Sequence, residues 1–318
     1  MRHYLDFEKQ LEPLERRIEE IKKFHDVFDP HYARELASLE KRLPKIEREI
    51  YSNMTNWQRS QLSRHLSRPH TLDYIHHLCT DFVELHGDRK FKDDPAIVGG
   101  PARFSDTNVF VIGHQKGKDV RGMAERNFGM ANPEGYRKAM RLMQLADRWQ
   151  KPLITFIDTP GAFPGVGAEE RGQAETIASS IYLMFTLSIP VIVVVIGEGG
   201  SGGALAIAVG DRILMLENAT YSVISPEGCA AILWRDGSKG ALAADALKPT
   251  AQELLKLKVI DAIVREPFGG AHRSWDETFA STRALLDKYL KELADIPRET
   301  LRQQRYEKFR NMGVFEEK

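Results

Sequence analysis

Six apolar residues, Val191 to Ile196, run directly into Gly197-Glu198-Gly199-Gly200-Ser201-Gly202-Gly203. A continuous apolar run of this length, closed by turn-forming residues, reads as a strand buried on both faces. The glycines after it leave bare backbone, so a ligand or another chain segment can approach the main chain closely. Ala204 to Val209 then reads as a short helix, because Gly210-Asp211 ends it, and Arg212 to Glu217 reads as the next strand. Upstream, Leu153 to Ile157 is a second buried strand. It enters a second glycine-rich loop, Asp158-Thr159-Pro160-Gly161-Ala162-Phe163-Pro164-Gly165-Val166-Gly167, followed by a helix from about Glu169 to Leu187. Strand–helix–strand order repeated in this way predicts an α/β fold with parallel pairing and helices on the sheet.

The rest of the chain is arranged around that pattern. Ala96 to Phe104 and Val109 to Gly113 read as strands joined by a Ser105-Asp106-Thr107-Asn108 turn. Pro133 to Trp149 reads as a helix with Ala139, Leu142, Met143 and Ala146 on one face. Thr71 is placed to cap a helix running through Tyr74, Ile75, Leu78, Phe82 and Leu85. The N-terminal stretch is charged and almost free of glycine. Leu11, Leu14, Ile18 and Ile21 share one helix face. Asp29-Pro30 breaks the pattern, and Leu36, Leu39, Leu43, Ile46 and Ile50 resume it, with Pro44 expected to kink or restart the second helix. The result is an antiparallel hairpin, either plainly solvated or serving as a docking arm. The expected division is residues 1–67 as helical arm, 68–295 as the main domain and 296–318 as a charged helical tail.

Composition excludes several classes. Lys+Arg and Asp+Glu both number 45, so no bulk charge draws the chain to nucleic acid. Cys79 and Cys229 lie far apart and outside any C-x-x-C pair, which argues against a cysteine zinc site or a disulfide framework; no metal is expected in this chain. Cys229 reads as a small buried residue. The opening Met1-Arg2-His3-Tyr4-Leu5-Asp6 lacks the apolar core of a signal peptide, and Val191–Ile196 is too short to cross a membrane. A cytoplasmic protein is the expectation.

The run at 197–203 fits several templates. Gly197-x-Gly199-x-x-Gly202 matches the dinucleotide fingerprint, but the short helix after it falls well below the crossover helix such a fold needs. Gly199-Gly200-Ser201-Gly202-Gly203 matches the G-x-S-x-G nucleophile elbow, with Asp245 or Asp261 and then His272 available in hydrolase order. A third reading uses no side chain: amides at a helix start carry partial positive charge, and those of Gly202 and Gly203 would form an oxyanion hole. On that reading a branched side chain at Gly202 would fill ligand space and oppose a positive φ. The plainest reading is a glycine turn that only permits tight packing. Asp158-Thr159-Pro160-Gly161 looks like the D-x-x-G switch of GTP-binding proteins, yet Gly113-His114-Gln115-Lys116-Gly117-Lys118-Asp119 lacks the spacing and hydroxyl of a phosphate loop.

Longer motifs carry a resemblance. Val98-Gly99-Gly100, Gly113-His114-Gln115-Lys116-Gly117, Arg126-Asn127-Phe128-Gly129-Met130, Pro133 to Ala139, Phe156 to Gly165, Ala168-Glu169-Glu170-Arg171-Gly172-Gln173, Gly197 to Gly203 and Tyr221 to Ala230 occur in that order. Together they resemble the carboxyltransferase alpha subunits of bacterial acetyl-CoA carboxylase, over nearly the whole chain. Phe163 stands where the family pattern has Tyr. The resemblance implies a crotonase-like (ClpP/crotonase) superhelix of β-β-α units. It implies transfer of a carboxyl group from N-carboxybiotin, borne on a biotin carboxyl carrier protein, to acetyl-CoA, giving malonyl-CoA for fatty acid synthesis. It also implies a heterotetramer of two alpha and two beta subunits, with zinc only in the beta subunit and biotin carboxylase in the larger complex. By resemblance, Gly202 and Gly203 hold the biotin ureido oxygen. Gly161, Ala162, Gly199, Gly200 and Ser201 line the substrate pocket. Arg171, Glu198 and Lys116 are further pocket candidates that read equally as ion-pair partners.

Overall fold

The computed structural model describes residues 3–313. Eight strands form one mixed sheet: β1 (Cys79–Thr80), β2 (Ile97–Phe104), β3 (Thr107–His114), β4 (Leu153–Thr159), β5 (Val191–Gly200), β6 (Arg212–Leu216), β7 (Thr220–Ser222) and β8 (Ala262–Val264). The order is β1-β2-β3-β4-β5-β6-β8, with β7 pairing the far end of β5. β1, β2 and β3 are antiparallel, and from β3 to β8 every pair is parallel. The hairpin between β2 and β3 turns on two residues rather than four, because Ser105 takes a left-handed conformation at φ 49° and the ladder already closes at Phe104–Thr107. All seven residues of β4 are buried, as the unbroken apolar pattern requires.

Helices pack against the sheet. Helix Pro133–Trp149 turns Ala139, Leu142, Met143 and Ala146 inward, and Pro133 begins it. The helix expected over Glu169–Leu187 is two: Val166–Glu170 and Gln173–Thr186. Gly172, at φ 81°, supplies the left-handed residue that separates them.

Two helices, α1 (Glu12–Phe24) and α2 (Pro30–Tyr51), form the N-terminal hairpin. Asp29 caps α2 by accepting from the His31 amide at 2.8 Å. α2 is continuous through Pro44, so the second helix does not restart there. Pro44 lies on the solvent side, where water can serve the carbonyl that proline leaves without a donor. At the base of the hairpin, Arg273 reaches Glu15 at 2.6 Å and the Tyr51 hydroxyl at 2.8 Å, and Tyr51 donates to Glu8 at 2.7 Å. At the tip, Phe24 is 70% and Phe28 88% exposed.

Two further helices, α3 (Asn56–Ser63) and α4 (Thr71–Leu78), lead from the arm to the sheet. α4 stops at Leu78, so Phe82 and Leu85 are not helical. Asp81 takes a positive φ, and the chain then runs extended beside β2, where Val83 and Leu85 amides donate to Pro101 and Gly99 carbonyls. Gly100 permits this approach: a Cβ there would lie 1.9 Å from the Val83 carbonyl oxygen. The capping position of α4 is His70, whose N–H donates to the Asp73 carboxylate; Thr71 is instead the first helical residue and its hydroxyl donates to the His114 carbonyl.

The C-terminal helix Arg298–Arg310 is anchored by one side chain. Arg305, fully buried, donates to both carboxylate oxygens of Asp211 at 2.9 and 2.7 Å and to the carbonyls of Met184, Leu187 and Ile189. Residues 314–318 of the expected tail lie outside the described residues. No described helix is long and apolar enough to cross a membrane.

Candidate functional site

The parallel pairing of β4 with β5 is regular from Leu153–Val191 to Ile157–Val195, and then slips: Thr159 pairs with Gly199. β5 therefore carries extra residues within Ile196 to Glu198, where pairing with β4 is lost although Glu198 still pairs with Thr220 of β7. Charged side chains replace them. Arg68 donates to the Ile196 carbonyl at 2.9 Å and is locked to Glu266 at 2.7 Å, both side chains being almost wholly buried. Asp158 accepts from the Glu198 amide at 3.3 Å. Gly197 makes room for that carboxylate, since a Cβ there would sit 2.3 Å from Asp158 Oδ1.

Asp158 is the centre of a charge cluster. Lys116 Nζ lies 2.8 Å from Asp158 Oδ1 and 2.8 Å from Glu198 Oε1. His70 Nδ1 lies 3.2 Å from Asp158 Oδ2. Arg64, from the arm side, joins Glu198 at 2.9 Å to Glu227 at 2.6 Å. Burial alone would push the Asp158 carboxyl upward, but Lys116 and His70 outweigh it and hold the group well below the usual carboxylate range. For Lys116, burial favours the neutral amine, yet the two carboxylates keep it charged and raise it above the ordinary lysine value. His114 is fully buried at the end of β3; burial pushes its imidazole down to about 4, so it is neutral at pH 7.

Above this cluster the two glycine-rich turns meet backbone to backbone. A Cβ on Gly200 would lie 2.1 Å from the Pro160 carbonyl oxygen, and one on Gly203 would lie 2.4 Å from the Ala162 nitrogen and the Gly161 carbonyl carbon. Gly161 faces open space, and its amide and carbonyl are engaged by the Thr159 hydroxyl. The helix after β5 spans Ser201–Leu205, so it starts three residues earlier than the sequence suggested. The first amides of a helix have no intrahelical acceptor, and here they belong to Ser201, Gly202 and Gly203. The structure exchanges the roles expected of two positions. The residue of the run in the left-handed region is Ser201, at φ 53°, not Gly202. A Cβ on Gly202 would meet Ile177 at 3.4 Å, an ordinary contact, whereas Gly203 admits no side chain at all.

Ser201 lies at the mouth of an apolar cavity of about 260 Å³ lined by Leu205, Tyr221, Val223, Val259 and Phe309, among others. Among the described residues no histidine or carboxylate lines it, so none of them offers the hydroxyl a base, and the hydrolase reading is not supported. The proposed triad partners are engaged elsewhere. Asp245 accepts from Asn56, Asp261 pairs with Lys308, and His272 stacks on His65 with ring centroids 3.9 Å apart. Glu8, His65 and His272 do bring potential metal-ligand atoms within 4.8 Å of one another. Metal-binding imidazoles point their lone pairs in the ring plane, and two stacked rings do not aim them at one point. His65 Nδ1 also accepts from the Ser67 amide, and its Nε2 lies 3.0 Å from the His3 carbonyl.

Arg171 forms an ion pair with buried Glu134 at 3.1 Å and donates to Asn132. Nearby, the Ala131 carbonyl accepts from the Phe163 amide and from Gln173, which braces the far end of the second turn. Cys229 is buried beside Ala230 and Ala243, and both cysteines are free thiols. Sequence reasoning missed His70, Arg64 and the Arg68–Glu266 pair. The signal available for Asp158 was its place directly between a buried strand and a glycine turn.

Comparison with known proteins adds an independent line. The family described as acetyl co-enzyme A carboxylase carboxyltransferase-like matches residues 4–313. The chain is 54% identical over its full length to the acetyl-coenzyme A carboxylase carboxyl transferase subunit alpha of Syntrophotalea carbinolica, covering all of that protein. It is 56% identical to the subunit of the same name from Thermus thermophilus over 98% of this chain and 99% of that one. Among solved structures, transcarboxylase 12S superposes on 70% of this chain and 41% of its own with TM-score 0.57 at 21% identity. The beta subunit of Pseudomonas aeruginosa geranyl-CoA carboxylase covers 73% of this chain and 43% of its own with TM-score 0.56 at 18% identity. These neighbours share the crotonase-like carboxyltransferase fold, and so does this chain.

Proposed function

The chain belongs to the family of acetyl-CoA carboxylase carboxyltransferase alpha subunits, and from that premise we propose that its glycine turns form the half-site that receives carboxybiotin. The reaction is carboxyl transfer from biotin on a carrier protein to acetyl-CoA, yielding malonyl-CoA for fatty acid synthesis. Carboxybiotin supplies the carboxyl group. As that group leaves, negative charge develops on an oxygen, and this chain's task is to place donors there. The amides of Gly202 and Gly203 are those donors, with Gly161, Ala162, Gly199, Gly200 and Ser201 lining the approach. Each such donor is worth roughly 3 kcal/mol in the transition state. The observation that carries this reading is the closure of Gly203 on Gly161–Ala162, which fixes the amides in a surface made of backbone alone. The residues suit a compact apolar ring: Gly161 opens to free space, and the cavity beside Ser201 is apolar.

The partner is a beta subunit, which on this proposal supplies the donors for the thioester and holds the zinc. Residues 1–67 act as a docking arm, 68–295 as the carboxyltransferase domain and 296–318 as the tail. The exposed Phe24 and Phe28 at the arm tip support that role. The test uses the reconstituted two-subunit enzyme. Ser201→Ala keeps the amide and should change the carboxyl-transfer rate little. A dead Ser201→Ala, with folding intact by circular dichroism, would overturn the backbone reading. The isolated chain should make no malonyl-CoA until the beta subunit is added.

A further inference from the structure

The slip between β4 and β5 raises the question of what fixes the spacing of the two turns. The ladder does so only in part, because it is interrupted between Ile157–Val195 and Thr159–Gly199 and leaves the residues between them, Asp158 and Ile196 to Glu198, without β4–β5 pairing. Asp158 stands at the mouth of one turn and Glu198 inside the other. Their two carboxylates would repel each other at this range. The ammonium of Lys116 lies 2.8 Å from each, on the loop that follows β3, and is only 15% exposed. Arg64 reaches Glu198 alone and His70 reaches Asp158 alone. Among the described residues, Lys116 is the side chain that ion-pairs with both. It also closes against the chain below: a Cβ on Gly129 would meet the Lys116 Cγ and the Asp158 carbonyl oxygen, each at 2.9 Å.

We propose that Lys116 is a positioning residue for carboxyl transfer: wedged between Asp158 and Glu198, it sets the distance between the two glycine turns. This rests on the reading of Gly202 and Gly203 as amide donors. Lys116 lies beneath the turns, bound to protein carboxylates on both sides, so it acts through the turns and not on the substrate. Its loss should therefore lower turnover and leave substrate affinity alone, since small displacements of a donor pair cost rate steeply, about 100-fold for roughly 1 Å.

The experiment measures kcat and both KM values in the reconstituted enzyme for Lys116→Met, Lys116→Arg and Gly203→Val. Lys116→Met should lose about 100-fold in kcat with KM values within about twofold of the parent. Lys116→Arg keeps a cation between the carboxylates and should recover at least about tenfold of that loss. A normal kcat in Lys116→Met overturns the proposal, as does a raised KM with kcat unchanged, which would make Lys116 a substrate contact. Where Lys116→Met fails to fold, Glu198→Gln removes the ammonium's second anchor. It should lower kcat by about tenfold at unchanged KM, and a normal kcat there overturns the proposal too. Gly203→Val, folded by circular dichroism, separates the two ideas. If it is inactive while Lys116→Met is normal, only the positioning role is lost; if it stays active, the amide reading itself fails.

Discussion

Between the two helices of the arm the ion pairs lie partly in solvent. Arg17 meets Glu35 at 2.7 Å and Lys22 meets Glu40 at 2.7 Å, each with side chains roughly a third to a half exposed, and two phenylalanines at the tip face water. Around the glycine turns the arrangement is reversed. Arg68–Glu266 and Lys116–Asp158 are buried beneath the backbone of the turns. Exposed pairs add little because water competes for both partners and long side chains lose freedom. Buried pairs strongly resist the loss of one partner, because the remaining charge is stranded. The arm is thus free to be shaped by whatever it docks against, whereas the turns have one permitted geometry.

The largest effect should come from filling the contact between the turns. Gly203→Val must push Gly161 and Ala162 aside, so carboxyl transfer should fall by about 100- to 1,000-fold, as for loss of an oxyanion donor. Gly202→Ala, with an ordinary contact to Ile177, should be far milder; equal losses in the two variants would break the distinction. Next is Arg68→Ala. It strands Glu266 and the Ile196 carbonyl, and denaturant unfolding should register a loss of about 3–5 kcal/mol.

Acid should act on the same region. His114 is buried neutral at about 4, against 6.5 when unfolded. Between those values the unfolded chain binds the extra proton, so stability is whole above 6.5, declines as pH falls and is lost by about 4. The interval corresponds to roughly 3 kcal/mol. Unfolding midpoints across that window should flatten in His114→Gln; an unchanged slope would assign the acid loss to other groups.

The smallest effects should lie in the arm. Arg273→Ala frees its base and should cost about 1–3 kcal/mol of local stability. Hydrogen exchange should quicken in α1 and leave β4 and β5 untouched. Arg17→Ala should produce no resolvable change in unfolding. A large loss there would show that the arm is as rigid as the turns.

Much of this was legible in sequence because buried parallel strands and glycine turns are local signals. Val191–Ile196 and Leu153–Ile157 each announce themselves, and the motifs around them carried the family. The crowding at Gly203 and the positive φ at Ser201 were not legible. Both depend on how one turn lies against another 40 residues away. Nor was it legible that α2 continues through Pro44, which its exposed position allows. The Lys116–Asp158–Glu198 cluster joins three strand ends, and only the register slip brings its members to one point.

Arg305 adds a condition that concerns time. The carbonyls of Met184, Leu187 and Ile189 lie just ahead of β5, the strand that ends in the glycine run, and Asp211 lies just before β6. Their partner is supplied by a helix near the end of the chain. A chain growing from its N-terminus has both strands in hand long before it has the guanidinium that answers these groups. Until then, the Asp211 carboxylate has the Val191 amide at 2.7 Å but no countercharge, and it and the three carbonyls must draw on water at that end of the core. The central strands can pair early, but the sheet that presents the glycine run dries out only when the last helix is made.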